Sequence, residues 1–231
     1  MKQHRIVFVA LFALIAAGCR TEQTSSPAST ARNVTFSITT APSSPNSPSL
    51  NALEISSAKI LLKNIKLHQF PSNDGRDISV GPIAVMLALD GSLNTIGGLA
   101  RVPPVVYDRV KFRLHKPEDT EPIPDPEFRD GPSGQLRYST IVRGSYNGQS
   151  FVYKSREEAL QEVRFVSPLA VAQDEVVNVT LTVDVASWFT VGGVTLDPTN
   201  PNNTQAIDAA IKASFGRVFK DNDRDGRPDD R

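Results

Sequence analysis

The chain has 231 residues, with 25 Lys plus Arg against 25 Asp plus Glu, 39% apolar residues, 17 prolines and one cysteine. That length suits one domain with appendages, and formal neutrality withholds the basic excess that a phosphate backbone requires, which argues against nucleic acid as a partner. A lone cysteine rules out an internal disulfide and any zinc site built on paired thiols.

The first 18 residues read as an export signal. Lys2 and Arg5 precede an apolar run from Ile6 to Ala17, which ends in small residues before Cys19. As a helix the run would be roughly 18 Å long, too short for the ~30 Å hydrocarbon core. The segment Ala16-Ala17-Gly18-Cys19 resembles the lipobox of bacterial lipoproteins, with Ala16 where that motif usually has Leu. The resemblance implies cleavage after residue 18 and lipidation of Cys19, hence a membrane anchor and a cell-envelope location. Arg20 is compatible with an outer-membrane or periplasm-facing position. More than one acyl chain is what makes such anchoring stable, at ~0.8 kcal/mol per buried CH₂. Without residues 1–18 the chain carries 23 basic and 25 acidic residues. The acidic surplus lies in 221–231, so the body is expected to present no strong field to a charged partner.

Residues 19–32 are small and polar, as expected of a flexible tether. Period-two alternation then begins with Val34, Phe36 and Ile38, and a Pro/Ser-rich stretch at 42–49 reads as a loop. Further strands are expected at about 54–68, 78–89 and 105–115, with Pro and Gly in the gaps. Within the first of these, the apolar set moves from Ile60 and Leu62 to Ile65 and Leu67, which predicts a β-bulge.

Asn147-Gly148 predicts a type I′ hairpin, because both central positions need positive φ. The register then pairs Tyr146 with Gln149, Gly144 with Phe151 and Val142 with Tyr153. It gathers Tyr138, Val142, Tyr146, Phe151 and Tyr153 on one face, which reads as core; the alternative is an exposed platform on which Tyr138, Tyr146 and Tyr153 stack against a sugar. Ser155 to Glu158 fits a capping box opening a short helical turn. Val177, Val179, Leu181, Val183 and Val185 alternate towards Trp188, and Ile207, Ile211 and Phe215 recur at the spacing of an amphipathic helix. Residues 33–219 are therefore expected to form an all-β domain, an antiparallel β-sandwich of transthyretin-like or immunoglobulin-like topology with a short C-terminal helix.

A family resemblance covers residues 34–115. It is carried by VTFSITTAP at 34–42, the strand from Ile55 to Leu67, Leu89-Asp90-Gly91, and VPPVVYDRVKFRL at 102–114. These segments resemble a family of bacterial lipoprotein domains of unknown function, although Thr40 and Val105 stand where that family has Asp and Gly. The resemblance implies a β-sandwich and assigns no activity.

Chemistry concentrates at the C-terminal end. Asp221, Asp223 and Asp225 alternate before Gly226, and the Arg227 carbonyl and Asp229 follow at the spacing of a loop that wraps Ca²⁺. The segment resembles the aspartate-rich calcium repeats of thrombospondin type 3 and the first nine positions of an EF-hand loop. An EF-hand's bidentate Glu would fall beyond Arg231, so the expected affinity is weak, on the order of 10⁻⁴ to 10⁻³ M. Glu118, Asp119, Glu121, Asp125, Glu127 and Asp130 lie in a Pro-rich loop expected to be merely solvated. His68 and His115 are expected as strand-end surface residues. Templates for a serine hydrolase, a zinc protease or a phosphate-binding loop are absent. The sequence thus predicts a lipid-anchored envelope protein with a non-enzymatic binding or structural role towards an envelope protein or glycan. An adhesin-like or carbohydrate-binding module is the alternative, and a hydrolase using the 118–130 carboxylates is the least favoured reading.

Overall fold

The structure is a computed structural model and describes residues 32–40, 53–72, 75–79, 81–130 and 136–229. The export signal, Cys19, the tether up to residue 31, the 42–49 loop, Asp230 and Arg231 lie outside the described residues. No helix among the described residues is long and apolar enough to cross a membrane.

The strands are β1 (Val34–Thr40), β2 (Leu53–Gln69), β3 (Gly75–Ser79), β4 (Ile83–Met86), β5 (Asn94–Ala100), β6 (Val106–Leu114), β7 (Arg129–Asp130) and β8 (Leu136–Arg137), followed by β9 (Thr140–Tyr146), β10 (Gln149–Ser155), β11 (Ala159–Ala170), β12 (Val177–Val183), β13 (Thr190–Val191), β14 (Val194–Thr195) and β15 (Phe215–Lys220). One α-helix, α1 (Thr204–Ala213), precedes β15. The main sheet runs β10-β9-β2-β6-β11-β15-β12-β1-β5, with β3 and β4 also beside β2.

The all-β expectation with one short C-terminal helix therefore holds, but the antiparallel arrangement does not. Strand β1 pairs parallel with β12 from Val34↔Val177 to Thr40↔Val183, and β11 meets β15 in parallel at Phe165↔Val218. Alternation fixes which face of a strand is buried and says nothing about its partner or direction. Residues from both ends of the strand order, including Ile38, Phe112, Val142 and Phe215, share one core, so the mixed sheet curls around it. Phe112 and Phe215 meet edge to face at 5.1 Å, a geometry that adds to their area burial. Strand β11 makes the corner. It pairs with β6 over Ala159 to Arg164, breaks register, and rejoins at Leu169 after Pro168, which cannot donate to the ladder.

Several local expectations are met in detail. Ile60, Leu62, Ile65 and Leu67 are all fully buried, and the change of face between them occurs where the β2·β6 register shifts between Lys63 and Lys66. Asn64 takes φ 55° there, a region Asn tolerates better than most residues. The β9–β10 hairpin has the predicted register, with Asn147 at φ 50° and Gly148 at φ 78°. In α1, Ile207 and Ile211 are buried. Each fully buried large apolar side chain contributes about 1.5–3 kcal/mol.

Four local expectations are corrected. Tyr138 does not share the face of Val142, Phe151 and Tyr153; it packs with Leu61, Phe128 and Ile141 in a second, smaller core, because Ser139 separates it from the regular alternation of β9. Residues 156–158 form no helical turn, and Ser155 Oγ instead accepts from the Glu157 amide at 3.2 Å, between two strands. The alternation after Val183 ends in a 3-10 turn, Val185–Phe189, which buries Trp188. Phe215 opens β15 rather than extending α1.

Candidate functional site

Strand β15 delivers the C-terminal aspartates to the sheet. Asp221 immediately follows β15 and is fully buried, so the loop starting there packs on the domain instead of trailing as a separate tail. The Asp221 amide donates to the Asn178 carbonyl at 2.9 Å, and Asn178 Nδ2 donates to the Asp221 carbonyl at 2.9 Å. Thr180 Oγ1 donates to Asp221 Oδ2 at 2.7 Å. Asp221 Oδ1 has no hydrogen-bond partner.

The loop then turns back on itself. Arg224 and Gly226 take φ of 61° and 79°, and Gly226 does so without Cβ strain. The Asp225 amide donates to Asp223 Oδ1 at 3.2 Å and the Arg227 amide to Asp225 Oδ1 at 2.8 Å. Asp229 closes the ring: its amide donates to the Lys220 carbonyl at 3.0 Å, and its Oδ2 accepts from the Asn222 amide at 2.9 Å.

One carboxylate oxygen from each of Asp221, Asp223 and Asp225 lies within 4.8 Å of the others. Two oxygens bound to one Ca²⁺ at 2.3–2.6 Å can be separated by no more than about 5 Å, so these three fit a single ion. Burial pushes the Asp221 carboxyl up, and nearby Asp223 adds to this, while the Thr180 hydroxyl and Gly226 amide pull it down. A buried carboxylate oxygen without a partner costs free energy that a cation recovers. Sequence spacing identified the aspartates; the burial of Asp221 and the contribution of Thr180 and Asn178 depend on the pairing of β12 with β15.

A second group, His115, Glu118 and Glu121, also brings its ligand atoms within 4.8 Å of one another. Here a cation is already in place, because Lys63 Nζ lies 2.5 Å from Glu121 and 3.4 Å from Glu118. An ammonium at that position repels a metal ion, so the group reads as an internal ion-pair cluster. Burial opposes the Glu121 charge, but hydrogen bonds from His115 at 2.6 Å and from Lys63 outweigh it and hold the carboxyl at about 2. His115 is buried between Glu121 and Glu158, not a surface strand end as expected. His68 is half-buried near the end of β2.

The acidic loop is also tied down more firmly than expected. Asp125 and Glu127 each lie 2.7 Å from Lys59, Glu127 also meets Arg143, and Asp119 meets Arg137. The segment is a strap clamped over the second core, with Phe128 inserted beneath it. Of the three tyrosines considered for stacking, Tyr138 and Tyr153 are buried and Tyr146 is half-buried. Tyr153 donates to Asp208 at 2.7 Å, and burial together with that carboxylate pushes its hydroxyl up.

No family model, curated protein or solved structure matches the chain.

Proposed function

We propose that the protein is a lipid-anchored cell-envelope protein whose β-domain, tethered through Cys19, has a non-enzymatic binding or structural role and carries a weak Ca²⁺ site in the loop 221–229. The observation that carries the metal part is the buried, unpartnered Oδ1 of Asp221 beside two converging carboxylates. Aspartate oxygens and the Arg227 carbonyl are hard donors, which favour Ca²⁺ over transition metals. A loop of this kind adapts to Ca²⁺ more readily than to the small octahedral shell of Mg²⁺. Asp229, already holding the Asn222 amide, orients the loop and contributes to the ion directly or through water. The anchor rests on the sequence around Cys19. For the domain, the reading is a sandwich-like wrap of one curled sheet around its main core.

Titration of the full-length protein with CaCl₂, followed by NMR of the 221–229 amides, tests the site. The expected result is saturable shifts at millimolar Ca²⁺ that vanish in the Asp223→Ala, Asp225→Ala double variant and persist in Lys154→Ala. Identical wild-type spectra at zero and ~10 mM Ca²⁺ would remove the metal site from the proposal.

A further inference from the structure

The formal neutrality of the chain conceals a segregation of charge on the outer face of β2 and β6. Leu62, Ile65 and Leu67 of β2 and Val110, Phe112 and Leu114 of β6 point into the core, so the residues alternating with them point outward. Their register sets Lys63 opposite Arg113, Lys66 opposite Lys111 and His68 opposite Arg109. Three successive cross-strand pairs therefore oppose cationic or potentially cationic groups, and like charges directly opposite are destabilising.

Most of this row is relieved internally. Glu162 of β11 bonds Arg109 at 2.5 Å and Lys111 at 2.9 Å, and Asp108 adds a second carboxylate to Arg109 at 2.7 Å. Burial followed by Lys111 and Arg109 pushes the His68 ring down, which disfavours a further charge there. Lys63 is matched by Glu121 and Glu118. Arg113 is the exception: among the described residues its side chain has no hydrogen-bond or ion-pair partner. Lys116, just beyond β6, is in the same position, since only its backbone amide is engaged, by Glu158.

Both cations line a cleft of about 400 Å³, bounded also by Asn64, His115, Arg137, Glu158 and the paired Lys63 and Glu118. Its size falls within the range of small-molecule sites. The cleft exists because Asn64 bulges β2 outward at positive φ and the segment after β6 departs from the sheet to begin the strap. Arg137 is engaged by Asp119 and the Pro117 carbonyl, and Glu158 faces His115 at 3.2 Å. The groups that remain available are thus a guanidinium, an ammonium and a primary amide. The first two carry charge that binds oxyanions, and the fork of Arg113 suits a bidentate carboxylate or phosphate.

We infer that this cleft is a binding site for a small ligand bearing a carboxylate or phosphate, with Arg113 and Lys116 supplying the charge and Asn64 a hydrogen bond. The site is separate from the aspartate loop, so it stands whether or not that loop binds Ca²⁺. A ligand that is only part acid, such as an acidic sugar, would leave its neutral portion against the polar cleft walls.

Isothermal titration of the full-length protein at constant ionic strength tests this, with inorganic phosphate, galacturonate and neutral galactose as separate probes. The expected result is saturable binding of at least one oxyanion and none of galactose; the difference between the phosphate and galacturonate arms identifies which acid is preferred. The Arg113→Ala, Lys116→Ala variant should lose roughly tenfold or more in affinity. The charge-matched Arg101→Ala, Arg217→Ala variant should bind as wild type, with unchanged circular dichroism confirming that both variants fold. No oxyanion binding up to about 10 mM overturns the inference, as does equal weakening in the two double variants, which would reveal a diffuse charge effect.

Discussion

Thr180 Oγ1 donates to Asp221 Oδ2 at 2.7 Å in the interior of the protein, while the other oxygen of the same carboxylate has no partner. The bond is part of a polar chain that continues from Asn178 to Ser37 of β1, whose hydroxyl donates to Asn178 Oδ1 at 2.9 Å. A buried network of this kind fixes one arrangement of strands when satisfied and is costly where it is not. The unsatisfied end of the chain faces the aspartate loop.

Asp221→Asn should therefore separate stability from metal binding. The amide retains an acceptor for Thr180 and removes a buried negative charge, so metal-free stability should be unchanged or up to about 1 kcal/mol higher. Ca²⁺ affinity should fall roughly tenfold or more, because a carboxylate ligand is lost. Chemical denaturation in EDTA and calcium titration of the same variant measure the two effects. A large stability loss in EDTA would show that the charge itself holds the loop.

The anchor is testable without any structure. Cys19→Ser should abolish acyl labelling and move the protein from the membrane to the soluble fraction, since no other residue of the export segment offers a thiol. Unchanged fractionation and labelling would count against the lipid anchor.

Acid should loosen the strap before it unfolds the domain. The Glu121 carboxyl is held at about 2, against an ordinary value of 4.5. A depressed carboxyl contributes stability that is present above its unfolded value and lost as pH falls from about 4.5 towards 2. With solvent screening at the exposed Glu118 side of the cluster, the contribution is on the order of 2 kcal/mol. Glu121→Gln should remove that part of the acid dependence, measured as the difference in unfolding free energy between pH 6 and pH 3. An identical pH profile for the variant would show that the cluster contributes nothing to stability.

Gly144 is a steric requirement of the β2–β9 pairing. A Cβ at that position would run into the Glu54 carbonyl and press on the Phe151 ring at 3.0 Å, where the register already breaks between Ile55 and Ser57. Because the obstacle is backbone, Gly144→Ala should cost about 3 kcal/mol or more. Gly148→Ala, with no atom near its Cβ, should cost less, through its positive φ alone. Thermal melts of the two variants rank them.

Features that depend on a few neighbouring residues were legible in the sequence. The Asn147-Gly148 turn fixes its hairpin because only certain residues tolerate positive φ; the bulge at Asn64 follows from a one-residue change in apolar phase, and α1 from the spacing of Ile207 and Ile211. The aspartates of the candidate metal loop were readable for the same reason, since their alternation is local. Tertiary structure decided the pairing of β1 with β12, strands more than a hundred residues apart, because alternation records burial and carries no information about partner or direction. The pairing of β12 with β15 brings Thr180 and Asn178 to Asp221 and turns an acidic stretch into a partly buried site. It was likewise the register of β2 against β6 that lined up Lys63 with Arg113 and left a cleft with unneutralised cations in a chain whose total charge is zero. Composition sums charges, whereas the field at a site depends on which of them the fold places side by side.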